Sequence, residues 1–253
     1  KQWRASAPSN IALIKYMGKK DHAKNIPTNA SLSWTLGHLR TEVVLSESTT
    51  DSWQPLDSDY PFEMSQTGQT KYMNHLKRIQ NFFEVKGSFL VQSANNFPAD
   101  CGIASSASSF AALTEVCCQA FSELTGREIS LQDKALLSAQ GSGSSCRSFL
   151  DKFVIWDEEG VRNFEPPSLE LSHLVVLVGK GAKKVSSSEA HKRVDTSSLF
   201  AGRVERSQGR LKLLQDSLSS SNWRKSFDLV WAEFWDMHAL FETAEPSFGY
   251  FLS

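Results

Sequence analysis

Between Ser88 and Leu124 the sequence passes from a strand through a small-residue turn into a long helix, and this unit constrains the fold most. Ser88-Phe89-Leu90-Val91-Gln92-Ser93 reads as a strand entered through Gly87. Asn95-Asn96-Phe97-Pro98-Ala99-Asp100-Cys101-Gly102 has turn chemistry throughout. Apolar spacing then predicts a helix from Ser105 to Leu124 that buries Phe110, Leu113, Val116 or Cys117, Ala120, Phe121 and Leu124, with Gly126 as its stop. Gly102, Ala104, Ser105, Ser106, Ala107 and Ser108 crowd the helix start. A helix start presents unpaired N–H groups and a positive dipole end. Small side chains let a phosphate approach it, and serine hydroxyls add donors or a Mg²⁺ ligand. The same residues also read as a tight turn packed by small side chains. The segment is neither a Gly-x-x-x-x-Gly-Lys-Ser/Thr loop nor a Gly-x-Gly-x-x-Gly fingerprint.

Around this unit, residues 9–46 alternate short extended patches with turns, and Thr41 to Ser46 reads as a strand. Lys71 to Glu84 is helical, with Leu76, Ile79 and Phe83 on one face and Lys77 and Arg78 pointing away. Ser130 caps a helix running to Gln140, and Lys152 to Trp156 is extended. His173 to Val178 reads as a buried strand. Helices follow from Val204 to Leu218 and from Trp223 to Phe241, the second capped by Asn222. The serine cluster Ser217 to Ser221 reads as the loop between them. Phe227, Val230, Trp231, Phe234 and His238 share one face of the last helix. Pro166-Pro167 is the best domain boundary.

The 253 residues carry 27 basic and 28 acidic side chains, so no global positive field holds a nucleic acid and any phosphate binding is local. Hydrophobic residues make up 40% of the chain, which excludes a mostly disordered one. No apolar run approaches the ~20 residues that span a bilayer, and the first residues lack a signal-peptide core. The four cysteines have no metal-ligand spacing and read as reduced thiols of a cytoplasmic protein. The six histidines show no metal pairing and read as surface or satisfied core residues.

Three further segments carry possible chemistry. Gly141-Ser142-Gly143-Ser144-Ser145-Cys146-Arg147 sets hydroxyls beside a guanidinium fork, which suits a carboxylate or diphosphate; its plain alternative is a Ser/Gly linker. Ala7 to Asp21 mixes apolar residues with Lys15, Lys19 and Lys20 and reads alone as an edge strand with a solvated basic end. Lys183-Lys184-Val185-Ser186-Ser187-Ser188-Glu189 reads alone as a polar loop.

Taken in order, these segments resemble the mevalonate diphosphate decarboxylases of the galactokinase, homoserine kinase, mevalonate kinase and phosphomevalonate kinase superfamily. The likeness is carried by Ala7 to Ala12, Lys15-Tyr16-Met17-Gly18-Lys19 and Asn29 to Ser33. It continues through Asn95 to Pro98, Gly102 to Ala107, Gly141 to Arg147, Lys183 to Ser187 and Val194 to Ser197. The resemblance implies an α+β, two-domain fold. A ribosomal-protein-S5-like N-terminal domain would span 1–165 and carry the phosphate loop. A ferredoxin-like C-terminal domain would span 168–253, with the active site in the cleft between them. It also implies ATP-dependent conversion of mevalonate 5-diphosphate to isopentenyl diphosphate, ADP, phosphate and CO₂, with ATP and Mg²⁺ as cofactors. The only partner implied is the small-molecule substrate, with no nucleic acid and no membrane, in a cytoplasmic homodimer.

By the same resemblance, Tyr16, Lys19, Ser142 and Ser144 hold the diphosphate and Arg147 orients the carboxylate. Lys15 stands near the transferred phosphate, and Ser186 and Ser187 lie on the substrate side. Pro98, Gly102, Ala104, Ser105, Ser106 and Ser108 form the nucleotide loop, with Ser106 as the Mg²⁺ ligand. Ser93 and Asn95 are candidates for adenine contacts. Lys15, Arg147 and Ser142 are the catalytic candidates. Three departures stand out. Asp100-Cys101 replaces small neutral residues, and Met17 replaces an aromatic. The family's Asp-Ala-Gly-Pro-Asn segment with its catalytic aspartate is not found, and Asp228, Asp236 and Glu242 do not match it. The expectation is an incomplete chain. Two rivals stay open: a related kinase without decarboxylation, and a catalytically silent nucleotide or isoprenoid-diphosphate binder.

Overall fold

A computed structural model of the chain describes residues 1–22, 25–99, 105–167, 171, 173, 174, 176 and 185–249. The strands are β1 (Gln2–Ile14), β2 (Lys19–Asp21), β3 (Ile26–Pro27), β4 (Ser31–Ser48), β5 (Ser52–Pro55), β6 (Ser88–Asn95), β7 (Phe153–Asp157) and β8 (Gly160–Phe164). The helices are α1 (Gln66–Phe83), α2 (Ser105–Thr125), α3 (Leu131–Ala139), α4 (Ser187–Arg193), α5 (Arg203–Ser219) and α6 (Trp223–Glu242). Short 3-10 helices lie at Gly143–Phe149 and Val194–Thr196. The chain forms two compact units that interleave in sequence. One comprises Lys1–Asn10 with Thr35–Asp151, the other Ile11–Trp34 with Lys152–Ser253.

In the first unit β4 pairs antiparallel with β6, from Thr41 opposite Asn95 to Ser48 opposite Ser88. β5 adds in parallel to β6, and β1 pairs with β4. Along β6 the buried residues Phe89, Val91 and Ser93 alternate with Leu90 and Gln92, as the two-residue period of a strand requires. Tyr72, Leu76, Ile79 and Phe83 line one face of α1. α2 is buried on most of its circumference because alanine, serine and cysteine let neighbours approach on every side. The α1 and α2 residues close on Val43, Leu45, Phe89 and Val91 in one core. Gly126, at φ +70°, ends α2 by donating to Ser122 O at 2.8 Å.

In the second unit Ser31–Trp34 of β4 pairs antiparallel with β7, and β7 with β8. Ile14, Leu32, Phe153 and Ile155 pack with Leu211, Leu214 and Leu218 of α5. A second cluster joins Met17, Val185, Ala190, Val194, Met237, Leu240 and Phe241. α5 and α6 are tied by Arg203, Arg206 and Arg210 facing Glu233 and Asp236.

The strands at 9–46 are longer than the sequence suggests, and α1 begins at Gln66 because Ser65 caps it, accepting from Gly68 N at 3.2 Å. Arg78 does not point away: it reaches His75 Nδ1 at 3.3 Å. Leu124 is exposed, three residues beyond Phe121, the last buried residue of α2. The Ser217 end of the serine cluster is helical and buried, its hydroxyl 2.8 Å from Ser226 Oγ. The face expected for α6 is only partly buried, with His238 inside and Val230 packed against the Leu211 cluster. Phe227 and Trp231 are about half exposed, whereas Ser226, Glu233, Met237, Leu240 and Phe241 are buried beside His238. Two carboxylates decide this rotation, because leaving Glu233 or Asp236 buried without α5's arginines costs more than exposing aromatic rings. The strand expected at His173 to Val178 falls largely outside the described residues. Leu174 and Val176, which are described, are 88% and 71% exposed, with no described strand pairing to cover them. Among the described residues no helix is long and apolar enough to cross a membrane.

Candidate active site

In the first unit β6 delivers Asn95 to the turn that leads into α2. Gly102 and Ala104 lie outside the described residues. Ser106 is exposed and Ser105 half-buried in the first turn of α2, where helix N–H groups lack intrahelical partners. Pro98 is half-buried before them. Ser93, Asn95 and Ser108 are placed differently. Ser93 is buried and accepts from Trp53 Nε1 at 2.9 Å. Thr41 Oγ1 donates to Asn95 Oδ1 at 2.7 Å and lies 2.6 Å from Ser108 Oγ. This buried polar chain fixes where α2 starts.

The Gly141 segment is a packed 3-10 turn. A Cβ on Gly141 would overlap Phe110 and stand 2.8 Å from His75 Cγ, so only glycine fits. The His75 ring is neutral: Arg78 can only donate, so Nδ1 accepts and Nε2 carries the hydrogen toward Thr114 Oγ1 at 2.9 Å. Burial, with the charges of Arg78 and Lys71, pushes its pKa down to about 3. Ser145 Oγ donates to Ser142 O at 2.6 Å, leaving the half-buried Ser144 side chain outside this inner turn. Arg147 is 2% exposed, and its Nη2 donates to Asn10 Oδ1 at 3.3 Å. The Asn10 amide in turn donates to Ser144 O at 3.1 Å and to Ser148 Oγ at 2.8 Å. Asn10 therefore sets both the guanidinium and the Ser144 backbone. Burial pushes the Cys146 thiol up to about 12, so it is no nucleophile.

In the second unit Lys15 leaves β1 with an exposed side chain and a fixed backbone: Arg203 Nη2 donates to its carbonyl at 3.0 Å. Tyr16 is buried, stacked on His191 with centroids 4.9 Å apart and edge-on to Trp156 at 5.3 Å. Gly18 sits at φ +91°, where a Cβ would stand 2.6 Å from the Phe200 ring, and its N–H donates to His191 Nδ1 at 3.2 Å. Lys19 Nζ donates to Asn25 Oδ1 at 2.6 Å. Asn29 accepts from Met17 N at 3.4 Å and donates to Ser207 Oγ at 2.9 Å. His238 faces Lys15; burial first and the Lys15 charge second push its pKa down to about 4. Ser186 and Ser187 do not form a loop. Ser186 caps α4 by accepting from Glu189 N at 3.2 Å, and Ser187 is the first helical residue. Ser-x-x-Glu at 186–189 is the capping signal that the loop reading overlooked.

Sequence reasoning did not single out Asn10, His191, Arg203 or Glu233 as site residues. Asn10 and Asn29 lie inside motifs legible in the sequence, whereas His191 and the Arg203–Glu233 pair carry no local signal there. A cavity of about 430 Å³ lined by Glu47, Lys86, Phe89 and Leu124 lies at the other end of β6 and α2 from this chemistry. Among the described residues no three His, Cys, Asp or Glu side chains are grouped to hold a metal. A hydroxyl at a helix start can instead complete the shell of a magnesium ion carried by phosphates, since that ion keeps most of its other ligands.

An α+β chain built in this way, with a serine-rich helix start after a strand and a glycine-hydroxyl turn ending in a buried arginine, has the fold of the galactokinase, homoserine kinase, mevalonate kinase and phosphomevalonate kinase superfamily. Comparison with known proteins narrows the class. Residues 7–163 match the diphosphomevalonate decarboxylase-like N-terminal domain. The diphosphomevalonate decarboxylase of Gibberella zeae is 32% identical over 99% of this chain and 72% of its own length. A mevalonate diphosphate decarboxylase structure from Legionella pneumophila superposes with a TM-score of 0.92 and 43% identity, over 100% of this chain and 82% of that one. The structure of MDDEF in complex with MVAPP, AMPPCP and magnesium gives 0.84 and 27%, over 98% and 77%. The chain belongs to the diphosphomevalonate decarboxylase-like family.

Proposed function

We propose that this chain carries out the ATP-dependent decarboxylation of mevalonate 5-diphosphate, yielding isopentenyl diphosphate, ADP, phosphate and CO₂. The observation that carries the reading is the buried Arg147 guanidinium, held by Asn10 in the same turn as Ser142 and Ser144. A fixed fork matches a carboxylate bidentately, and a kinase acting on an alcohol has no comparable need for one. The family's complex with MVAPP and AMPPCP, an ATP analogue, supports the choice of substrates.

Each residue contributes by role. Arg147 orients the carboxylate that departs as CO₂, while Ser142 and Ser144 donate to the diphosphate with Tyr16 and Lys19. The exposed Lys15 ammonium balances charge that develops as a phosphoryl group transfers to the 3-hydroxyl. Ser105 and Ser106, with the N–H groups that open α2, receive the ATP phosphates, and Ser106 offers its hydroxyl to Mg²⁺. Bound ATP supplies the phosphoryl group that turns the tertiary hydroxyl into a leaving group. Ser186 and Ser187 serve the substrate side at the start of α4. Asn95 and Ser108 act by shaping the turn. Among the three acidic residues near the chain's end, Asp236 is a poor base for the hydroxyl. Burial would raise the Asp236 pKa, but hydrogen bonds from Arg206 and Arg210 and the charge of Arg203 hold it at about 2. Asp228 pairs with Arg224 at 3.4 Å, and Glu242 packs against Gly249. The 1–165 and 168–253 domains, a cytoplasmic location and a homodimer are part of the same proposal.

The test is CO₂ and ADP release by the full-length protein and by Arg147→Lys. Lysine keeps the charge and loses the fork. One hydrogen bond to a charged group is worth roughly 1.5–3 kcal/mol, so kcat/KM should fall about tenfold to a hundredfold. Near-normal kcat/KM in the variant would remove Arg147 from the carboxylate. ADP release without CO₂ would favour the kinase.

A further inference from the structure

Behind Lys15 lies a pair of buried charges. Arg203, which opens α5, has a side chain 0% exposed; that of Glu233, midway along α6, is 3% exposed. Arg203 Nη2 meets Glu233 Oε1 at 2.5 Å and Nη1 meets Oε2 at 2.9 Å, a two-point fork. The same two groups grip both main-chain groups of one residue. Glu233 Oε1 accepts from Lys15 N–H at 3.2 Å, and Arg203 Nη2 donates to Lys15 O at 3.0 Å. Arg210 adds a donor to Glu233 Oε2 at 2.9 Å, so the carboxylate does not swing away.

Lys15, Tyr16 and Met17 belong to no strand or helix, so the sheet does not supply these backbone bonds. Stability alone is a weak reason to bury such a pair, because apolar residues of similar volume often serve as well. Apolar residues could not satisfy both the donor and the acceptor of the Lys15 backbone, which are partly buried here. We infer that Glu233 and Arg203 are positioning residues for Lys15: they fix its backbone so that the exposed ammonium is held where the transferred phosphate needs it. This rests on the proposed role of Lys15 in the decarboxylation.

The experiment uses the full-length protein with Glu233→Gln and Arg203→Lys, each alone and in a Lys15→Ala background. The two readouts are CO₂-release kinetics and amide hydrogen exchange. Misplacing a reacting group by about 1 Å costs up to roughly a hundredfold, so each single variant should lower kcat about tenfold to a hundredfold. KM for ATP should stay within about twofold, since uniform binding is untouched. Residues that act through one another are non-additive, so in the Lys15→Ala background each should cost no more than about twofold further. Exchange at the Lys15 and Gly18 amides should quicken about tenfold or more while α2 stays protected. Full additivity, unchanged exchange, or failure of both conservative variants to fold would overturn the inference and leave the pair a purely structural element. A fully active Lys15→Ala would instead refute the catalytic role of Lys15, while the exchange readout still reports the grip on its backbone.

Discussion

Gly141→Ala tests whether the Ser142–Arg147 turn depends on its packing. The added methyl would overlap Phe110 Cδ1 and stand 2.8 Å from both Cγ and Nδ1 of His75. Neither ring has room to yield. Phe110 is edge-packed on Tyr72 at 5.3 Å, and His75 is anchored to Thr114 at 2.9 Å. The backbone at 141 must therefore move, taking with it the bond from Ser142 N to Ser138 O at 3.2 Å. Overpacking of this kind costs roughly 1–3 kcal/mol. At about 2–4 °C per kcal/mol for a chain of this size, Tm should fall by about 2–12 °C. Activity should fall further, because a shift of about 1 Å in a binding group costs up to roughly a hundredfold in kcat/KM. The assay is a thermal melt followed by CO₂ release at a temperature where the variant is fully folded. Gly209→Ala is the control: it lies exposed in α5 with nothing within 4 Å, so it should gain about 0.8–1 kcal/mol from helix propensity alone. Wild-type melting and kcat/KM in Gly141→Ala would refute the packing argument. A lowered Tm with unchanged kcat/KM would show that the turn absorbs the methyl without moving its hydroxyls or Arg147.

Two further outcomes follow from the same contacts. The His75 pKa is about 3 when folded against an ordinary 6.5, so the unfolded chain binds the extra proton. Its contribution is complete above about pH 6.5 and is lost as pH falls toward 3, by up to about 1.4 kcal/mol per pH unit relative to His75→Gln; equal slopes in urea melts between pH 4 and 7 would contradict this. Ser186→Ala removes the α4 cap and should cost about 1 kcal/mol, recovered by Ser186→Asn; a melt insensitive to both would mean that α4 does not rely on this cap.

Local chemistry made the caps and the strand–turn–helix unit legible. Ser130 accepts from Asp133 N and Asn222 from Lys225 N, as their side chains announce. Among the described residues α2 runs from Ser105 to Thr125, on the apolar run that marks it in the sequence. β1 was not legible: its buried Ser9 and Asn10 break the apolar alternation that marks a strand, and their partners lie far along the chain. The face of α6 is only partly legible for a related reason. Aromatic spacing suggested a core stripe, but two carboxylates and three arginines from another helix set the rotation. A periodicity count weighs rings against polar residues and cannot see that a charged residue has found its partner.

The same divide runs through the candidate site. The segments proposed to meet substrate were readable because their glycines, hydroxyls and cations sit together in sequence. The residues holding them in place were not. Asn10 grips Ser144 across 134 positions, His191 grips Gly18 across 173, and Glu233 grips Lys15 across 218. Each grip is a side chain that is almost fully buried and bonded to a main-chain group of a proposed substrate segment. Such bonds are unlike hydroxyl contacts to a ligand, because a buried peptide group left unpaired is costly whether or not substrate is present. The apo segments should therefore already be ordered before substrate arrives, with little ordering entropy left for binding to overcome. Substitutions at Asn10, His191 and Glu233 should accordingly loosen the free enzyme, whereas those at Lys15, Ser142 and Ser144 should leave its backbone intact and act only once ligand is bound.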